Sequence, residues 1–163
     1  MLTHLPAAND IRGLRPVTPE LLRAEETARR WRGLPNDASK GQLLQLLEDV
    51  HPRAMGVSKG ARNYLHWLVK MQPAACFVRT ADVKGAAALQ QGLALVSTYQ
   101  DAYVSAALDI SVRSLARWRA ELAAAGWIAF RDAPDRSRFR QGPAEAPQEA
   151  FGVDLRPLVV RYD

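Results

Sequence analysis

Arg113 and Arg117 stand four residues apart, one helical turn, within Ser111-Val112-Arg113-Ser114-Leu115-Ala116-Arg117. A guanidinium keeps its charge and presents a planar fork of donors, which suits phosphate oxygens and the O6/N7 edge of guanine. Further along, Arg136, Arg138 and Arg140 alternate through Arg136-Ser137-Arg138-Phe139-Arg140. That spacing on a short turn suits contact with backbone or minor groove. Both clusters carry the chemistry of nucleic-acid binding. Other chemistries are poorly served. Ser58-Lys59-Gly60 reverses the order a Walker phosphate loop needs, and there is no G-x-S-x-G turn for a nucleophile. His4, His51 and His66 are far apart and lack cysteines at zinc spacing, so no metal is expected. His66, between Leu65 and Trp67, reads as a packing residue. The single cysteine, Cys76, has apolar flanks (Ala75, Phe77, Val78) and reads as a buried thiol. The expectation is a binding protein, not an enzyme, with no cofactor.

The charge is placed to match. The chain carries a formal net charge of +5, and 18 of its 22 basic residues are Arg. Residues 1–57 are nearly neutral, with 8 basic and 7 acidic groups. Residues 58–99 carry 5 against 1, residues 111–141 carry 7 against 3, and residues 142–163 return to 2 against 4. An excess concentrated in two blocks says more about a partner than the total does. The longest uncharged stretch, residues 85–100, is 16 residues long, short of the ~20 a membrane span needs. Asn9, Asp10 and Arg12 stand where a signal peptide would be apolar. Neither a membrane nor a secretory reading survives, and a cytoplasmic protein is expected.

These side chains need a scaffold, and composition predicts a helical one: 20 Leu and 27 Ala against 3 Ile among 163 residues. Residues 1–17 read as an irregular leader. Thr18-Pro19-Glu20 starts a helix to Arg32 with Leu21, Ala24, Ala28 and Trp31 on one face. A second helix turns Leu43, Leu44, Leu47 and Val50 inward and stops at His51-Pro52. Ser58 caps a third, with Ala61, Leu65 and Leu68 inward, ending at Gln72-Pro73. Ala75 to Val78 reads as a short strand, and residues 85–95 give no clear period. Thr98-Tyr99-Gln100-Asp101 has the shape of a capping box before a short helix with Val104 and Leu108 inward. Asp109-Ile110 turns the chain, and Ser111 caps a longer helix with Leu115, Trp118, Leu122 and Ala125 on one face, stopped by Gly126. Trp127 to Arg131 is a strand, Ala133 to Ser137 a turn, and Arg138 to Arg140 a return strand. Gln141 to Glu149 is a Pro- and Ala-rich loop, Phe151 to Val153 another strand, and Leu155 to Leu158 starts a last helix.

Short helix, turn, longer helix and basic β-hairpin is the order of a winged helix-turn-helix. The fold expected is mainly α with a small β-hairpin and additional N-terminal helices. Residues 1–38 form a leader and a helix packing on the core, and residues 39–163 form the DNA-binding unit. The recognition helix would present Ser111, Val112, Arg113, Ser114 and Arg117. The wing would present Arg136, Ser137, Arg138 and Arg140. Tyr99 and Gln100 would offer phosphate contacts at the start of the preceding helix. Trp118 and Trp127 read as core anchors rather than stacking platforms, and Arg119, beside the apolar stripe, is left unassigned.

The chain also resembles a known family, RepC, the replication initiator of bacterial repABC plasmids. Ala150-Phe151-Gly152-Val153-Asp154-Leu155-Arg156-Pro157-Leu158-Val159 looks like that family's segment after the wing. Ala125-Gly126-Trp127-Ile128, followed by Arg131-Asp132-Ala133-Pro134 and Arg138-Phe139, is similar to its recognition-helix end and wing. Met55-Gly56-Val57-Ser58 with Leu65, Leu68 and Pro73, and Gly13 to Thr18, add weaker likeness. The chain departs from the family at Asp135-Arg136-Ser137, where a wing-tip glycine is usual, and at Arg119, where an apolar residue is usual. The resemblance implies sequence-specific binding of double-stranded DNA at a plasmid origin to initiate replication. Host replication proteins are a further candidate partner. It also implies that this chain is an N-terminal fragment of a longer initiator. Two other readings fit the same residues: a winged-helix transcriptional regulator, and a protein–protein module with a basic face. The stripe of the first helix could be buried against the chain's own Leu43/Leu44/Leu47 helix or against a second protomer; its narrowness and the short link predict packing on the same chain, hence a monomer or weak dimer.

Overall fold

The computed structural model describes residues 17–133, 135 and 137–162. The leader, apart from Val17, and Arg136 lie outside the described residues. Thr18 opens α1 (Pro19–Arg29) by accepting the Leu21 amide proton, with Pro19 in the first turn. Ser39 caps α2 (Lys40–Asp49), the single turn α3 (Pro52–Met55) follows, and Ser58 caps α4 (Lys59–Met71). Three 3-10 turns (Ala74–Cys76, Thr80–Asp82 and Gly85–Ala87) lead to α5 (Ala88–Leu93) and β1 (Val96–Ser97). Then come α6 (Asp101–Leu108), α7 (Val112–Ala124), β2 (Ala129–Arg131), β3 (Phe139–Gln141), β4 (Glu149–Asp154) and α8 (Arg156–Val160). The fold is mainly helical with a small antiparallel sheet.

The core gathers the apolar faces read from the sequence. Leu43 and Leu47 of α2, Ala61, Leu65 and Leu68 of α4, and Leu115 and Leu122 of α7 are all buried in one cluster. α4 lies between α2 and α7, and α6 packs on α7. The two tryptophans serve as anchors: Trp118 packs against this core, and Trp127 donates from Nε1 to the Met55 carbonyl at 2.8 Å. The Arg161 guanidinium covers the Trp127 ring at 3.7 Å.

β4 organises the sheet. Its second half pairs with β1 and β2, through Val96↔Asp154 and Phe130↔Val153, and its first half pairs with β3 through Phe139↔Phe151. Gly152 is required at the crossing with β1, because a Cβ there would stand 2.0 Å from the Ser97 carbonyl oxygen.

Five sequence expectations are corrected. The sequence predicts that Arg138 to Arg140 returns along the strand before it; β3 pairs with β4 instead. Phe139 meets Phe151 at 5.1 Å between ring centroids, and Gln100 holds the Arg138 carbonyl, which together keep this segment off β2. The Thr98-to-Asp101 capping box is absent: Gln100 is the N-cap of α6 and makes no side-chain capping bond. Ala75 to Val78 is not a strand: Cys76 N donates to the Pro73 carbonyl at 2.9 Å and Phe77 N to the Ala74 carbonyl at 3.1 Å, which winds Ala74–Cys76 into a 3-10 turn. The Cys76 thiol is buried as expected; burial, with the Glu145 carboxylate adding to it, pushes its pKa up. His66 does not pack in the core but bonds Glu48 Oε1 at 3.0 Å on the surface. Finally, α1 packs on α8, α7 and β2 rather than on the Leu43/Leu44/Leu47 helix. Ala24 and Ala28 are small enough to bring it against Ala129 of β2, and these three alanines form their own buried cluster.

Candidate nucleic-acid interface

A turn of three residues joins α6 to α7. Asp109 takes a left-handed conformation (φ 53°), which a short polar side chain tolerates, and this ends α6. The Ile110 amide then donates back to the Ser105 carbonyl at 3.1 Å, and Ser105 Oγ donates to the Ile110 carbonyl. Ser111 Oγ accepts the Ser114 amide proton at 3.1 Å, starting α7 with its first turn toward solvent.

On that turn Val112 and Arg113 are exposed, as is Arg117 one turn further on. The guanidinium groups of Arg113 and Arg117 form no ion pair or hydrogen bond with any described residue. Ser111 and Ser114 are engaged with each other, their hydroxyls 3.1 Å apart, so they shape the helix start rather than stand free. Glu121, the one acid of α7, turns to α4, where it accepts from Ser58 N at 3.1 Å and Ser58 Oγ at 3.0 Å. The outer face of α7 therefore carries positive charge without a competing carboxylate.

Behind that face lies the group the sequence left unassigned. Arg119 is buried and donates to both oxygens of Asp101, the first residue of α6, at 2.7 and 3.1 Å. Arg138, from the segment entering β3, donates to Asp101 Oδ1 and to the Tyr99 carbonyl at 3.2 Å. One carboxylate thus holds two arginines and joins α6, α7 and the β3–β4 hairpin. Burial works to raise the Asp101 pKa, but hydrogen bonds from Arg119 and Arg138 outweigh it and hold the carboxyl below the usual range. Tyr64 of α4 lies against the Arg119 guanidinium; burial raises its phenol, with Arg119 pulling the other way.

The remaining expected contacts fall unevenly. Tyr99 is half-buried, stacked on Tyr103 at 5.2 Å and edge-on to Trp67 at 5.4 Å. Gln100 is exposed, and its amide donates to the Arg138 carbonyl at 2.7 Å. Ser137 donates from N and Oγ to Asp135 Oδ1 at 3.0 and 2.7 Å, forming an Asx-type turn. Of the arginines expected on a wing, Arg138 is engaged inward, Arg140 is exposed on β3 without an ion pair to a described residue, and Arg136 lies outside the described residues. Sequence reasoning missed the Asp101 clamp. Its signal was an arginine, Arg119, set among Leu115, Trp118 and Leu122 on the apolar side of a helix. An inward-facing guanidinium needs an acid to meet it.

No group of His, Cys, Asp and Glu among the described residues is arranged to hold a metal, and no described helix is long and apolar enough to cross a membrane. Compared with known families, the chain matches Replication protein C N-terminal domain over residues 15–163. No curated protein and no solved structure matches it.

Proposed function

Because the chain belongs to the replication protein C N-terminal domain family, that of RepC-type plasmid replication initiators, we propose that it binds double-stranded DNA sequence-specifically at its plasmid's replication origin. In this reading the chain works as a winged helix-turn-helix. α7 enters the major groove, and the β3–β4 hairpin lies along the backbone as the wing. The observation that carries the reading is the pair Arg113 and Arg117. They are exposed, unpaired with described residues and one turn apart, on a helix held from behind by Asp101 and Arg119. A helix fixed in this way presents both guanidinium groups from a preorganised backbone, so that only side-chain freedom is lost when one meets a guanine edge.

The other candidates support the reading in secondary roles. Gln100 caps α6 without a side-chain bond to it, so the first-turn amides of α6 are available to a phosphate. Arg140 supplies a wing cation. Arg138 acts indirectly, by keeping the hairpin against α6.

The test is competition between restriction fragments of the cognate plasmid for the purified chain at fixed salt. Retention of the origin fragment over all others is the expected result. Arg113→Ala and Arg117→Ala should each cost about 1–3 kcal/mol on that fragment and less on random DNA. Equal loss on both DNAs would reassign the two arginines to phosphate. Preference for a promoter fragment would point to a regulator, and binding blind to sequence would sink the origin reading.

A further inference from the structure

We propose that α7 also reads a thymine, through the side chain of Val112 against the 5-methyl group. The inference rests on the DNA-binding reading above and adds base identity to it. Val112 is 48% exposed in the first turn of α7, beside Arg113, and belongs to none of the buried clusters of the described residues. Its β-branched side chain has few χ1 rotamers, so its two methyl groups are presented with little freedom to lose. Ala116 and Ala120 continue the same line at four-residue spacing, exposed and small. At 100° per residue this line runs along the flank between the buried face (Leu115, Arg119, Ala123) and the arginines, and its small side chains leave Val112 clear to approach a base edge. Arg113 and Arg117 run along the neighbouring line.

What α7 lacks narrows the choice. Adenine is read bidentately in the major groove by the amide of Asn or Gln, and α7 contains neither; its one serine, Ser114, is bonded to Ser111. Cytosine is read by a carboxylate, and the one acid of α7 is bound to Ser58. Within α7, direct discrimination of an A·T pair therefore falls to apolar contact with the thymine methyl. The prediction is a site in which a thymine lies next to a guanine read by Arg113 or Arg117.

The experiment uses the whole chain and a duplex that it selects from a random pool. Each thymine of the selected site is replaced in turn by uracil, which removes the methyl group and keeps the pairing. At one position uracil should weaken wild-type binding about fourfold, the transfer value of roughly one buried methyl. Val112→Ala, which favours the helix and should fold normally, should weaken binding to the thymine site and be indifferent to uracil at that position. Wild-type indifference to uracil throughout a selected site overturns the inference, as does a uracil effect undiminished in Val112→Ala. In either case sequence-specific binding lost in Arg113→Ala leaves the DNA-binding reading standing. Failure to select any sequence overturns both.

Discussion

Gly60 of α4 lies against the indole of Trp118 of α7 so closely that a Cβ on it would stand 2.3 Å from Cζ2 and 2.5 Å from Cε2. The two helices meet at this point, with Ala61 and Leu65 buried beside it. The contact sets how near α7 sits to the rest of the core, and hence how far its outer face projects.

Gly60→Ala should therefore lower the melting temperature, although the same change in an open helix stabilises by about 1 kcal/mol. The expected cost is about 1–3 kcal/mol, from overpacking against an indole. A melting temperature at or above wild type would mean the ring moves aside freely. Gly152→Ala should cost more, about 3 kcal/mol, because its Cβ would meet the backbone of Ser97 instead of a side chain. Denaturant melts of both variants check the order.

Asp101→Ala should destabilise by about 3 kcal/mol, since it leaves the buried Arg119 charge without its carboxylate. Double replacement, Asp101→Ala with Arg119→Leu, should recover much of that loss. A double-mutant cycle by urea unfolding measures it, and additive losses would remove the clamp from the account.

The same pair sets a pH dependence. The Asp101 carboxyl lies below its usual range in the folded chain, near ~3.9 when unfolded, so its stabilisation is complete at neutral pH. As pH falls below about 4 and through the lowered folded value, that stabilisation is lost. The stability gap between wild type and Asp101→Asn should be flat above about pH 5 and shrink below pH 4. A gap that is constant down to pH 2 would contradict this.

Arg138 and Arg140 should separate. Arg140→Ala should leave stability unchanged and flatten log K against log salt by roughly 0.9, one phosphate contact. Arg138→Ala should lower stability first, because it breaks the tie to Asp101 and the Tyr99 carbonyl. Salt titrations of DNA binding, paired with thermal melts, distinguish the two.

Ala28→Leu should destabilise the chain equally at every protein concentration, by about 1–3 kcal/mol, through overpacking against β2. Melting that shifts with concentration would instead make α1 a contact between two copies.

The longer helices α1, α2, α4 and α7 were legible in the residues because they are specified locally, whereas the short α3 and α5 were not. Thr18, Ser58 and Ser111 cap three of them, and Leu43, Leu65, Leu115 and Leu122 recur at helical spacing. The exposed pair Arg113 and Arg117 was legible for the same reason: a helix start and its period decide which side chains face outward. The pairing of Phe139 with Phe151 was not, because two strands of three and six residues have no local signal for partner choice. That choice was made by contacts distant in sequence, Gln100 to Arg138 and Arg138 to Asp101. The seat of α1 on β2 and α8 belongs with these, since an alanine stripe shows that a helix packs closely but not on what. Arg119 shows the boundary most plainly. Its position among apolar neighbours was visible in the chain, yet only the approach of α6 to α7 supplies Asp101, and burial makes that partner obligatory.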